Sequence, residues 1–249
     1  MSVTGSGYIG GLVGFSDQSA GASALTVSGS YYAGGTLTAS STGGAGGLFG
    51  YLKNTTGTLL ITESHASGTV SAPGYDGGGL IGRTYLGGSV SNTISSSYSS
   101  ANVSGPENIG GLIGNNFYLS LADTLNVNDC YTTGTVNASI SYAGGFVGVN
   151  QLSGSPSATL NLTRVYSTSI VTSPSNVNGD VGSVGAGTTV NYTAAYWLQD
   201  TGLNAGLATD GNQKSVSALQ TQATYTGWTF NSGTGPWNTF VPGAYPTLK

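Results

Sequence analysis

A five-residue phrase returns along this chain at nearly constant spacing. It reads GGLVG at Gly10–Gly14, GGLFG at Gly46–Gly50, GGLIG at Gly78–Gly82 and Gly110–Gly114, and GGFVG at Gly144–Gly148. A worn sixth copy, GSVG, is read at Gly182–Gly185. The second glycines, Gly11, Gly47, Gly79, Gly111, Gly145 and Gly182, step by 36, 32, 32, 34 and 37 residues. A repeat of this length cannot bury its apolar face alone, so the units must stack on one another.

A second phrase, Ser/Cys-Tyr-x-x-Gly-x-Val, runs in step with the first. Its aromatic positions read as Tyr32, His65, Tyr98, Tyr131, Tyr166 and Tyr196. Between the phrases lie short alternating stretches such as Thr124-Leu125-Asn126-Val127-Asn128 and Ala158-Thr159-Leu160-Asn161-Leu162. Apolar side chains at every second position suit strands with one buried face, and the Gly, Ser and Asn between them suit corners. No stretch holds a helical period over three turns. The expected fold is all-β: a parallel β-helix (β-solenoid) of about six coils over residues 1–194, then a Trp- and Pro-containing C-terminal coil and non-repeating cap over 195–249.

Stacking turns equivalent residues into columns. The column after the glycine pair reads Leu12, Leu48, Leu80, Leu112, Phe146 and Ser183; the valine column reads Leu37, Val70, Val103, Val136 and Val171. These are the expected core. The glycine columns imply either positive φ or close approach of backbones at a corner.

Composition limits the function classes. Glycine supplies 43 of 249 residues, yet 15 Tyr, 6 Phe and 3 Trp argue for a folded chain rather than a disordered one. The net charge of −4 is thinly spread and forms no basic patch, which argues against nucleic acid and anionic membrane surfaces. No apolar run reaches the roughly 18 residues of a membrane span, so no membrane insertion of this fragment is expected. The first repeat begins by residue 8, which reads as a piece of a longer chain. Cys130 is the only cysteine, so no internal disulfide forms.

The GG-L-V/I-G phrase coupled to Y-S-T-G-x-V resembles the GLUG repeat of bacterial surface proteins. The resemblance covers roughly residues 8–200. It implies a secreted or surface-anchored, adhesin-like parent at the bacterial cell surface, with glycan or protein partners on a host or neighbouring cell. It implies no catalytic residues, because the motif carries none.

The residues with chemical potential are few. His65 is the only histidine and reads as a planar ring substituting in the tyrosine column. Among the acids, Glu63 and Asp129 fall two coils apart in one column, with Arg164 placed to pair with Asp129. A β-helical lyase or glycosidase would need such clustered carboxylates. Asp76 falls level with Asn108 and beside Glu107, an arrangement that suits a weak calcium site or simply solvated acids. Cys130 has no base nearby and reads as structural.

Trp197, Trp228, Trp237 and Tyr245 near the end offer rings for stacking on sugars, or a cap over an open solenoid end. Thr36, Thr69 and Thr135 share a column that an ice-binding face would use, but Asn102 interrupts it. No cofactor is expected. The reading that fits these features is a non-enzymatic structural and adhesive module, a stalk or presenting surface. A polysaccharide-active enzyme and an ice-binding solenoid are the alternatives.

Overall fold

The computed structural model describes residues 2–249 apart from 22–23, 41–42, 89, 120–121, 154–156, 200–211, 231–232 and 234. Parallel sheets stack as a β-solenoid of about six turns. The first sheet follows each glycine phrase and runs Val13–Gln18, Phe49–Asn54, Ile81–Leu86, Ile113–Tyr118, Val147–Leu152 and Val181–Val184, one strand per coil. The second holds the alternating stretches: Leu25–Ser28, Leu59–Thr62, Ser91–Ser95, Thr124–Asn128, Ala158–Thr163 and Thr188–Thr193. The third and largest carries the tyrosine phrase and the glycine pairs, with His65–Ser71, Tyr98–Gly110 and Thr135–Gly144 as its longest strands.

The predicted core columns form. Leu48, Leu80, Leu112 and Phe146 are fully buried, and each donates its backbone N–H to the next coil. Leu37, Val70, Val103, Val136 and Val171 stand in register and are also buried. Interior amides close into short chains: Thr84 Oγ1 donates to Asn116 Oδ1 at 2.5 Å, and Asn116 Nδ2 to Asn150 Oδ1 at 2.7 Å. Outward on the second sheet, Asn191 donates to Asn161 and Asn161 to Asn126, at 2.9 and 2.8 Å. Stacked amides of this kind satisfy each other once the coils are in register.

Three columns differ from the sequence expectation. The aromatic column begins at Tyr31, not Tyr32, because His65 pairs with Tyr31 and Ala66 with Tyr32. The first coil spends one residue more than the others between its aromatic and its Thr36-Leu37 pair, taken up at Gly34 and Gly35, both at positive φ. The same slip moves the corner column from Ser30 to Gly29, so that it reads Gly29, Glu63, Ser96, Asp129, Arg164 and Ala194. All six have φ between +50° and +58° apart from Ser96 at +47°. This left-handed residue turns the chain from the second sheet to the third.

The sixth glycine phrase is Asn178-Gly179-Asp180-Val181-Gly182, not Gly182–Gly185, since Val147 pairs with Val181 and Phe146 bonds to Asp180. A buried Asp180 therefore ends the column of Leu48 and Phe146 where Ser183 was expected.

Tyr32 and Trp197 acquire a different role from the one expected. They bracket a column of small residues, Ala66, Ser99, Thr132 and Ser167. The Tyr32 ring lies on Gly11 in the first coil and the Trp197 ring on Gly179 in the sixth. Both are buried, Trp197 completely. They close the two ends of this packed column of small residues.

Candidate functional site

The tyrosine column projects from the corner as a ladder of parallel rings. Centroid separations from Tyr31 through His65, Tyr98 and Tyr131 to Tyr166 are 5.2, 4.7, 4.6 and 5.2 Å, with interplanar angles of 2–9°. Such stacking contributes about 0.5–1.5 kcal/mol per pair beyond area burial. It also occupies both faces of each inner ring. Tyr31, 65% exposed, keeps one face open. The inner ladder therefore offers a sugar only ring edges, and its work is holding coils together.

Burial between Tyr31 and Tyr98 pushes the His65 imidazole below its ordinary value of 6.5. The ladder thus favours the neutral ring. Stability is complete above the unfolded-state value and falls as pH drops through it, levelling off below the folded value. We expect the wild-type melting temperature to fall more between about pH 8 and about pH 5 than that of His65→Tyr, which has no such titration. Equal falls would remove His65 from the acid response.

The C-terminal segment lies back along the ladder at coils four to six, rather than only across the open end. Trp237 is fully buried and packs on Tyr131, Tyr166 and Trp228. Its Nε1 donates to Asp129 Oδ1 at 3.0 Å. Tyr166 Oη donates to the Pro246 carbonyl at 2.5 Å, and Trp228 Nε1 to that of Ala194 at 3.2 Å. Trp197, Trp228 and Trp237 are 0%, 8% and 0% exposed. Their faces are covered by protein, which suits the reading of these rings as cover rather than as open platforms for sugars. Tyr245 is half-buried beside Tyr166, at 6.3 Å.

A cleft of about 540 Å³ opens between this segment and the corner column. Glu63, Ser96, Asp129 and Arg164 line one side, Pro236 and Lys249 the other. The cleft does bring Glu63 and Asp129 together. The expected Asp129–Arg164 pair forms as a bidentate contact, with Nε–Oδ1 at 2.7 Å and Nη2–Oδ2 at 2.6 Å. With Trp237 also donating to Oδ1, the Asp129 carboxylate is engaged as an anchor for the C-terminal segment. A general base needs an oxygen directed at substrate; both Asp129 oxygens are engaged by Arg164 and Trp237, whereas Glu63 is exposed.

Cys130 is fully buried, and burial pushes its thiol up to about 12. Its Sγ points back to the Asn128 carbonyl at 3.2 Å, as Ser97 Oγ does to Ser95 at 2.7 Å. It is a serine-like corner residue. We expect a disulfide reagent to label it at least about a hundredfold more slowly in the native protein than in urea. Equal rates would contradict its burial.

At the opposite corner, Asp76 is buried. Its Oδ1 accepts from Asn108 Nδ2 at 2.8 Å and Asn115 Nδ2 at 3.2 Å, and its Oδ2 lies 3.7 Å from Arg83 Nη1. Burial raises its pKa, against the lowering effect of Asn108, Arg83 and Asn115. Arg83 sits 5.7 and 5.3 Å from the ring centroids of Tyr51 and Phe117. The partners of Asp76 are donors and a cation, whereas calcium needs oxygens. Glu107 does not line this pocket, and among the described residues no group of three or more metal-ligating His, Cys, Asp or Glu side chains forms.

The threonine column continues as Thr36, Thr69, Asn102, Thr135 and Ile170, so Asn102 and Ile170 both interrupt it. Thr135 Oγ1 and N–H donate to Asn102 Oδ1 at 3.0 and 3.1 Å, which draws these groups into the protein's own bonding.

No family model, curated protein or solved structure matches this chain.

Proposed function

We propose that this chain is a structural and adhesive module of a larger bacterial secreted or cell-surface protein, a stiff β-solenoid that serves as stalk and ligand-presenting surface. The observation that carries the reading is the continuity of stacking. Three parallel sheets, two ring plugs and an outer ring ladder hold six coils in one register. In such an array each coil contacts its neighbours and rigidity extends along the axis. The engaged Asp129 and buried Cys130 favour this role over an enzymatic one. The resemblance to GLUG repeats supports an extracellular, surface location and a partner on a host or neighbouring cell.

Beads coated with the purified protein should be retained on epithelial or bacterial cells above beads coated with a heat-unfolded sample. Equal retention would remove the adhesive part of the reading.

A further inference from the structure

From the Asp76 pocket we infer a second-corner binding site for one neutral sugar ring, formed by Asp76, Arg83 and Tyr75. The inference rests on the adhesive reading for its biological purpose, but not for its chemistry.

The pocket holds about 200 Å³. At about 30 Å³ per water this is room for roughly six or seven waters, the size of a single pyranose rather than of an extended chain. It is polar and held in place from several coils. Gln151 Nε2 donates to Asn115 Oδ1 at 3.0 Å, which directs the Asn115 amide nitrogen toward Asp76. Arg83 is held against the rings of Tyr51 and Phe117 and paired with Asp76. Such support reduces the ordering cost of binding.

Two groups remain to be satisfied by a ligand. Arg83 Nε is covered by protein, so the guanidinium meets the pocket through its Nη groups, on a side chain 29% exposed. Asp76 Oδ2 meets the guanidinium at 3.7 Å, beyond hydrogen-bond length. An unmade bond on a buried polar group is costly, and more so on a charged one. One donor and one acceptor thus stand side by side with no net charge between them.

This pairing selects the ligand class. A cation is opposed by Arg83 and by the amide hydrogens on Oδ1. An anion is opposed by Asp76. An apolar ligand would leave both polar groups unsatisfied. A vicinal diol answers both: one hydroxyl donates to Asp76 Oδ2 and its neighbour accepts from Arg83 Nη1. Tyr75, 56% exposed, and Tyr8 form the aromatic walls against which the C–H face of the ring rests. On the adjoining sheet Phe15, Tyr51, Tyr85 and Phe117 extend this aromatic surface, with Tyr85 and Phe117 stacked at 5.1 Å.

The test is saturation-transfer NMR of the full chain with the methyl glycosides of glucose, galactose, mannose and N-acetylglucosamine, alongside sialyllactose. At least one neutral glycoside should receive saturation, and its affinity should fall about tenfold or more in Arg83→Met and in Tyr75→Ala. Arg83→Met keeps a long side chain between the rings but removes the cation beside buried Asp76, and Tyr75 is exposed, so circular dichroism of each variant checks the fold before affinities are compared. Tyr31→Ala, which deletes the open ring of the ladder, should leave the affinity unchanged. No saturation of any neutral glycoside, saturation of sialyllactose alone, or equal affinity in both pocket variants would overturn the site. Cell retention of beads alongside a failed sugar titration would reject this pocket while keeping the adhesive module. Sugar binding alongside failed retention would do the reverse.

Discussion

Gly111→Ala should destabilise the protein by about 3 kcal/mol or more, read as a shift of the urea midpoint followed by circular dichroism. The cause is contact, not backbone conformation. Gly111 does not occupy the left-handed region. A Cβ at this position would stand closer than 3.0 Å to the Gly145 carbonyl of the next coil. Gly11, Gly47, Gly79 and Gly145 would likewise strike the carbonyls of Gly47, Gly79, Gly111 and Gly179. The obstacle is backbone in every case, so no rotamer change relieves it. The coils would have to separate, breaking parallel pairing on all three sheets. Gly233→Ala is the matched control, because its Cβ would meet nothing within 4 Å. It should change stability by no more than about 0.5 kcal/mol. Equal midpoints for the two variants would show that close coil approach is not what the glycine phrase secures.

That contact explains why the fold is legible in the sequence. A glycine column, a Leu/Val column and a ring column all require the same period. The Asp129–Arg164 pair was legible for the same reason, since both residues hold one repeat position. The sequence misleads where a coil departs from that spacing or disguises its phrase. Tyr31 and Tyr32 are adjacent, and counting back five from the valine column selects the wrong one in a coil that carries an extra residue. The sixth phrase replaces Gly-Gly-Leu with Asn178-Gly179-Asp180, and the nearby GSVG resembles the motif more closely than the true copy does.

The Asp76 site was only half legible. Asn108 falls level with Asp76, but Arg83 and Asn115 lie on the adjoining sheet and reach it across the corner. Their signal was a column: Phe15, Tyr51, Arg83, Asn115 and Val149 each follow the last glycine of the phrase. An outward column that changes from ring to guanidinium to amide marks a place where neighbouring coils build something other than core. A covering role for the tail tryptophans is legible as the cap reading, but nothing in the repeat spacing says that the final segment returns along the ladder.

Trp237→Ala should cost about 3–5 kcal/mol, the range for deleting a fully buried large aromatic. The loss should be local in its first effect. Trp237 joins the ladder at Tyr131 and Tyr166 to the rings of the C-terminal segment, including Trp228, Tyr225 and Phe240. The repeat core is a separate buried cluster of columns that does not include Trp237. Removing the indole also takes away the donor to Asp129 Oδ1, although Arg164 still satisfies that carboxylate. The C-terminal segment should therefore release before the coils unfold. Limited proteolysis should cut after residue 214 in the variant under conditions where the wild-type protein resists, while far-ultraviolet dichroism keeps its β signal. A single cooperative loss of both, at one urea concentration, would show instead that the coils depend on the returning segment. In that case the ladder and its cover would be one folding unit, and the solenoid could not be shortened from its C-terminal side without losing the whole array.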